Sequence, residues 1–460
     1  MNIKKNDIYN IKITDLGTQG EGIGKIDGYT LFVKNTLPGE EVKVLVVKAN
    51  KSYGYGKALE IITPSAYRIT PPCPVAGKCG GCTIQHLEYS QQLKLKQNKV
   101  KQNIMRIGGF TNIEVEPAIG MDEPYNYRNK AQYPVNSDKN GINIGFYSLG
   151  SHKIVNNDNC LIGSKINREI LQTVKTFMES NNISAYNEES GRGLIRHILI
   201  REGFYTNEIM ICLIVNSNKF RYKKELLKSL EEIENLKSVV INYNTTKSNV
   251  IMGQRCETIW GQDYITDKIG NLVFKISPLS FFQVNPVQTY KLYSKALEFA
   301  DLKGNEVVVD AYCGIGSISL FLAQKAKKVY GIEIVPSSIE NAKENAKLNN
   351  IDNAEFFTGK SEDIVPVLYN KKEIRPDVIV VDPPRKGCDE SLLRLMLDMK
   401  PERIVYVSCD SATLARDLKI LCENNEYEIK KIQPVDMFPH SYHVETVVLL
   451  SHKKADSYIH

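Results

Sequence analysis

The chain has 460 residues, 42 % hydrophobic and 24 % charged, with a net charge of +6 from 59 basic and 53 acidic side chains. That length suits roughly two to four domains, and the composition excludes collagen-like, low-complexity and strongly basic classes. The mild positive balance permits a polyanionic partner without demanding one.

The first residues, MNIKKND, lack the apolar core of a signal peptide. No uninterrupted apolar run reaches the ~18 residues of a membrane span, so a cytoplasmic protein without a membrane partner is expected. Residues 1–62 read as short strands with glycine punctuation: YNIKITDL, GEGIGKIDGYTLFV, GEEVKVLVVKA and YGKALEIITP. This rhythm predicts a small barrel. Pro64 and the run TPPCP (70–74) mark a boundary. Ten cysteines are present, and Cys73, Cys79 and Cys82 fall within ten residues. In a reducing compartment such clustering points to metal rather than to disulfides.

A helical stretch is predicted over about 88–107. Its segment KLKQNKVKQNIMR (94–106) holds five basic and no acidic residues; it reads as a solvated helix face or as an RNA-facing surface. Residues 117–265 mix short strands and helices, including the amphipathic SKINREILQTVKTFME, without an assignable fold. From about 271 the rhythm changes to strict alternation. EVVVDAYCG, KVYGIEI, AEFFTG, DVIVVDPP and RIVYVSCD read as strands. SISLFLAQKA, SSIENAKENAKLN, ESLLRLMLDM and ATLARDLKIL read as helices. YEIKKIQPVDMF and HVETVVLLSH close the chain as an antiparallel pair. Alternation of this kind predicts a parallel sheet covered on both faces. Five alternating strands with a terminal hairpin resemble an S-adenosylmethionine methyltransferase domain.

In an open parallel sheet, ligands bind beyond the carboxyl ends of the strands, so those ends are the place to look. The first closes with Asp310-Ala-Tyr-Cys-Gly314-Ile-Gly316, where glycines let backbone approach a ligand. Ser319 stands where a dinucleotide fingerprint has its third glycine, which argues against nicotinamide. The second strand closes with Glu333, 23 residues after Asp310, where an acid can accept hydrogen bonds from ribose hydroxyls. The fourth closes with Asp382-Pro383-Pro384-Arg385. Enzymes that methylate exocyclic amines carry an aromatic residue after the prolines; Arg385 argues against that substrate. The fifth closes with Cys409, and the final strand opens with Glu445, two residues after His443.

A cysteine and a carboxylate beside a methyl donor match one chemistry well. Uracil C5 is too weakly nucleophilic to take a methyl group directly. A thiolate added to C6 gives an enolate whose C5 can attack the methyl, after which a base removes the C5 hydrogen and the thiolate leaves. This needs an activated cysteine and a general base, which Cys409 and Glu445 supply.

The matching blocks are FFQVN (281–285), DAYCGIGSISL (310–320), GIE (331–333), DPPRKG (382–387), SCDSATLARD (408–417) and HVET (443–446). On these the chain resembles the RNA (uracil-5-)methyltransferase family. The resemblance implies a multidomain α/β protein with a C-terminal Rossmann-like S-adenosylmethionine domain over 271–460. It assigns Gln283, Tyr312, Glu333 and Asp382 to S-adenosylmethionine, Cys409 as nucleophile and Glu445 as proton acceptor. Two positions depart from the pattern: Ser411 replaces the usual proline after Ser-Cys-Asp, and Ser317 replaces an asparagine. Residues 1–62, with GEGIGK and LPGE, resemble the OB-like TRAM barrel, an RNA-binding domain.

CPVAGKCGGC resembles the iron–sulfur segment of the ribosomal-RNA branch, whose fourth ligand would be Cys160 in DNCLIG. The spacing C-x5-C-x2-C followed by 77 residues leaves zinc and a four-iron cluster both open; the resemblance selects [4Fe–4S] on Cys73, Cys79, Cys82 and Cys160. It also implies a central mixed α+β domain over 63–270, whose helical segment at about 85–116 packs on the catalytic domain. The expected partner is RNA, with 23S ribosomal RNA favoured over transfer RNA; a monomer is expected, and DNA is not. A non-enzymatic RNA binder would have lost Cys409 or Glu445. A DNA cytosine-5 methyltransferase favours Pro-Cys on an earlier strand. A redox enzyme has only the cysteines in its support.

Overall fold

A computed structural model describes residues 3–453. Strands Ile8–Leu16, Gly22–Ile26, Tyr29–Lys34, Glu41–Ala49 and Tyr53–Thr63 close into a barrel in the order first, second, third, fifth, fourth. Alternation supplies its core: Ile11, Ile13, Leu31, Val33, Val42, Val44 and Val46 point inward. Gly56 is one price of closure, since a Cβ there would come within 2.2 Å of a Val44 methyl.

The middle of the chain forms a seven-stranded sheet. Its order is Arg255–Gly261, Leu236–Tyr243, Ile209–Val215, Ile195–Glu202, Lys130–Asp138, Gly141–Tyr147 and Ile154–Asn156. Helices Asn167–Ser180 and Lys223–Leu230 cover one face through Ile170, Val174, Phe177, Leu226 and Leu230. The amphipathic pattern of 164–179 produces the first of these helices. Met210, on the sheet, reaches into the catalytic core.

The second seven-stranded sheet runs Ala354–Thr358, Lys328–Glu333, Val307–Asp310, Val378–Val381, Arg403–Ser408, Glu445–His452, Tyr427–Val435. The first five are parallel; Glu445–His452 inserts antiparallel beside Arg403–Ser408 and pairs with Tyr427–Val435 on its other edge. One face carries helices Pro286–Ala300, Ser317–Ala323 and Pro336–Leu348; the other carries Ser361–Lys371, Glu390–Met399 and Ser411–Leu421. Helix Tyr89–Arg106 joins the latter layer, its Val100 and Ile104 packed with Leu414 and Leu418.

The hairpin Ile265–Ile269/Leu272–Ile276 places Ile265, Ile269, Leu272, Phe274 and Ile276 in the catalytic core. The turn of this hairpin falls at 270–271. Helices Pro286–Ala300 and Ser361–Lys371 are additional to those expected from periodicity. No described helix is long and apolar enough to cross a membrane.

Candidate active site

Beyond Val307–Asp310 the chain turns through Gly314 and Gly316, at φ 54° and 83°, left-handed values that glycine adopts without a Cβ clash. The Ser319 hydroxyl donates to Asp310 at 2.6 Å and the Tyr312 amide donates to the other oxygen at 3.2 Å. The serine in the third-glycine place therefore holds a fully buried carboxyl, which burial pushes up to about 6. Glu333, at the end of the next strand, accepts from the Val335 amide at 2.9 Å.

Gln283, Tyr312, Glu333 and Asp382 all line one cleft of 790 Å³. Leu279, Phe281, Ile334 and Val335 also line it and are exposed, Phe281 by 69 %. Met252, Gly253 and Gln254 of the central domain complete the wall; no motif spacing in the sequence ties them to the strand ends. The donor set fits S-adenosylmethionine: Glu333 can accept from ribose hydroxyls, the exposed apolar chains can cover a base, and the carboxylates complement a sulfonium.

The register of the final strand builds the second part of the site. Strand Arg403–Ser408 ends with Ser408 opposite Thr446. Just beyond this last pair, Cys409 follows Ser408 and Glu445 precedes Thr446, and the two side chains interact electrostatically. The Asp410 carboxylate then accepts from the amides of Ala412 and Thr413 at 2.9 and 3.2 Å, capping helix Ser411–Leu421. Cys409 is thus held between a strand end and a helix start. It is half-buried, while Glu445 is 5 % exposed.

Burial, then Glu445 and Asp382, push the Cys409 thiol up to about 12, and Arg385 pulls it down. Burial and Asp382 raise the Glu445 carboxyl well above the usual carboxylate range, again against Arg385. His443 is pushed down to about 4 by burial, with Arg385, Lys99 and Lys96 adding to it, so its ring is neutral near pH 7. Arg385, after the paired prolines, acts on all three groups.

Segment 436–444, which carries His443 to the Glu445 strand, is fastened from outside. Buried Lys96 forms an ion pair with Asp436 and donates to the Phe438 carbonyl at 3.0 Å. The Tyr89 hydroxyl donates to Asp436 at 3.0 Å, and the His440 amide donates to Gln92 at 2.9 Å. Lys99 donates to the Tyr442 carbonyl at 2.9 Å. From the cysteine loop, the amides of Thr83 and Ile84 each donate to the His440 carbonyl at 3.0 Å. The basic run was read as a face toward water or RNA. Two of its five cations instead serve this segment, because the helix buries Gln92, Lys96, Val100 and Ile104; Lys94, Lys101 and Arg106 stay exposed.

Cys73, Cys79, Cys82 and Cys160 line a single cavity of 260 Å³. The Gly81 amide donates to Cys79 Sγ at 3.4 Å, and the Ile162 and Gly163 amides favour the Cys160 thiolate against burial. Among the described residues, no three His, Cys, Asp or Glu side chains converge on one single-ion position.

A family model described as tRNA (Uracil-5-)-methyltransferase matches residues 88–453, and a TRAM domain model matches 4–59. An "Uncharacterized RNA methyltransferase" of Clostridium tetani is 53 % identical over 98 % of this chain and 97 % of its own. One of Bacillus cereus is 49 % identical over 98 % and 97 %. Among solved structures, the Pyrococcus abyssi tRNA (uracil-54, C5)-methyltransferase in complex with S-adenosyl-L-homocysteine covers 96 % of this chain and 100 % of its own. Its TM-score is 0.77 at 30 % identity. The chain belongs to the S-adenosylmethionine-dependent RNA (uracil-5-)methyltransferase family, with a TRAM domain at its N-terminal end.

Proposed function

We propose that this protein methylates C5 of a uridine in 23S ribosomal RNA through transient covalent addition of Cys409 to C6. The observation that carries the reading is that Cys409 lies within electrostatic reach of both Glu445 and Asp382, and Asp382 lines the 790 Å³ cleft. S-adenosylmethionine, held by Gln283, Tyr312, Glu333 and Asp382, supplies an electrophilic methyl group. With Arg385 opposing the nearby carboxylates, the Cys409 thiol releases its proton to solvent, and the thiolate forms the S–C6 bond and pushes the ring electrons onto O4 and C5. C5 would take the methyl group as the methyl–sulfonium bond breaks to leave the neutral thioether, Glu445 removes the C5 proton, and the S–C6 bond breaks to return the thiolate. Arg385 offsets the negative charge that Cys409, Glu445 and Asp382 concentrate there. Arg385 works against burial and Asp382 at Glu445 and favours its carboxylate, the form that acts as the base.

Cys73, Cys79, Cys82 and Cys160 would hold a [4Fe–4S] cluster. A shared cavity with amides directed at two sulfurs suits a larger anionic group. No step of the reaction passes through it; its place next to Thr83 and Ile84 suits a structural or RNA-positioning role.

Transfer RNA is the second reading, favoured by the full-length likeness to the Pyrococcus tRNA enzyme, which shows that this architecture also occurs in a tRNA enzyme. Mapping 5-methyluridine in the RNA of a deletion strain decides between them. Loss from 23S RNA supports the proposal; loss from transfer RNA alone replaces the target; no loss from any RNA removes the reading.

A further inference from the structure

Lys130 and Arg201 stand directly opposite each other on adjacent antiparallel strands. Like charges in that position repel and destabilise a sheet. Arg201 is only 3 % exposed, and its Nε is buried without a hydrogen-bond partner. Arg128 adds a third cation, its Nε donating to the Lys130 carbonyl at 3.0 Å. Among the described residues no carboxylate pairs with any of the three. Burial, then Arg201 and Arg128, push the Lys130 ammonium down to about 7. Unpaired, buried positive charge is costly, and a fold that keeps it has a use for an anion there.

The place tells which anion. Arg201 donates to the carbonyls of Pro278 and Ser280. Asn129, next to Lys130, donates from its side chain to the Gln283 carbonyl at 3.1 Å and from its amide to that of Val284 at 3.0 Å. Arg201 and Asn129, the neighbour of Lys130, therefore bracket segment 278–284, which carries exposed Phe281 and buried Gln283 into the active cleft. Arg128 lies on the wall of the cysteine cavity; Lys130, opposite Arg201, is partly exposed. A uridine taken out of its stack carries its flanking phosphates to the mouth of the pocket.

We propose that Lys130, backed by Arg201, is a phosphate site that holds the RNA backbone beside the flipped-out uridine. The identity of the strand rests on the function proposed above; the anion site rests on the charges alone. The test uses the full chain, a fluorescent short oligouridylate as probe, and a series of salt concentrations. Lys130→Gln should weaken binding about five-fold at low salt and flatten the log–log salt dependence by about 0.7, one phosphate's share on a single strand. Lys130→Arg should restore both, and S-adenosylhomocysteine binding should be unchanged in each variant.

An unchanged salt slope overturns the site even if affinity falls, because a merely structural lysine would weaken binding without altering counterion release. The readout is separate from catalysis. A flattened slope in a protein that makes no 5-methyluridine keeps the site and removes the reaction. An unchanged slope in an active enzyme keeps the reaction and removes the site.

Discussion

Glu445 is buried near Asp382, with Arg385 as its opposing charge, and this has a measurable consequence. Its carboxyl titrates above the ordinary value of 4.5, so above that value the native state binds more protons than the unfolded chain. Stability therefore falls as pH rises through that window. Glu445→Gln removes the titration. Its melting temperature should match wild type near about pH 4 and exceed it increasingly toward about pH 8; a constant difference would refute the raised carboxyl. Cys409→Ala should retain cofactor binding, because the thiol acts on the base, and lose turnover. Methylation above about a tenth of the wild-type rate would refute a covalent nucleophile. At this scale the sequence was informative where chemistry sits at strand ends: Cys409, Glu445, Glu333 and Asp382 follow from the alternation. Met252–Gln254 at the cleft and Lys99 beside His443 were not readable, since only tertiary packing brings them there.

Helix Tyr89–Arg106 shows the same limit for elements. Its period was legible, but its packing on Ser411–Leu421 across some three hundred residues was a matter of resemblance, and its buried lysines looked like surface. Lys96→Met would leave Asp436 buried without its counter-charge, a loss of about 3–5 kcal/mol, read as a shifted denaturant midpoint. Adding Asp436→Asn should recover much of it, as removing the second charge ends the penalty; an additive double variant would show that the ion pair is not what fastens segment 436–444. Helix Ser361–Lys371 escaped the periodic reading because Pro366 lies inside it, a residue that ordinarily ends a helix. The hairpin at 265–276 escaped because a two-strand unit carries no mark of the domain it packs against.

For the molecule as a whole, the barrel and the doubly covered sheet were legible because both rest on short-range alternation. The central sheet was not: its strand order joins Lys130–Asp138 to Ile195–Glu202 across a hairpin and a helix. Cys160 reaches the Cys73 cavity by the same long-range path. Protein purified without oxygen should be brown and carry about four irons per chain, and Cys160→Ser should lower that content; stoichiometric zinc without visible absorbance would replace the cluster while leaving the methyltransferase intact.

In the proposed reaction Cys409 attacks the base and Glu445 completes the turnover. It is tested most directly by incubating the Glu445→Gln variant with substrate RNA and methyl-labelled S-adenosylmethionine, followed by denaturing electrophoresis. Addition and methyl transfer should proceed, elimination should stall, and a slow band should carry protein, RNA and label together, absent from the Cys409→Ala/Glu445→Gln double variant. Normal turnover by Glu445→Gln without a trapped adduct, or a labelled adduct that survives the loss of Cys409, would contradict it.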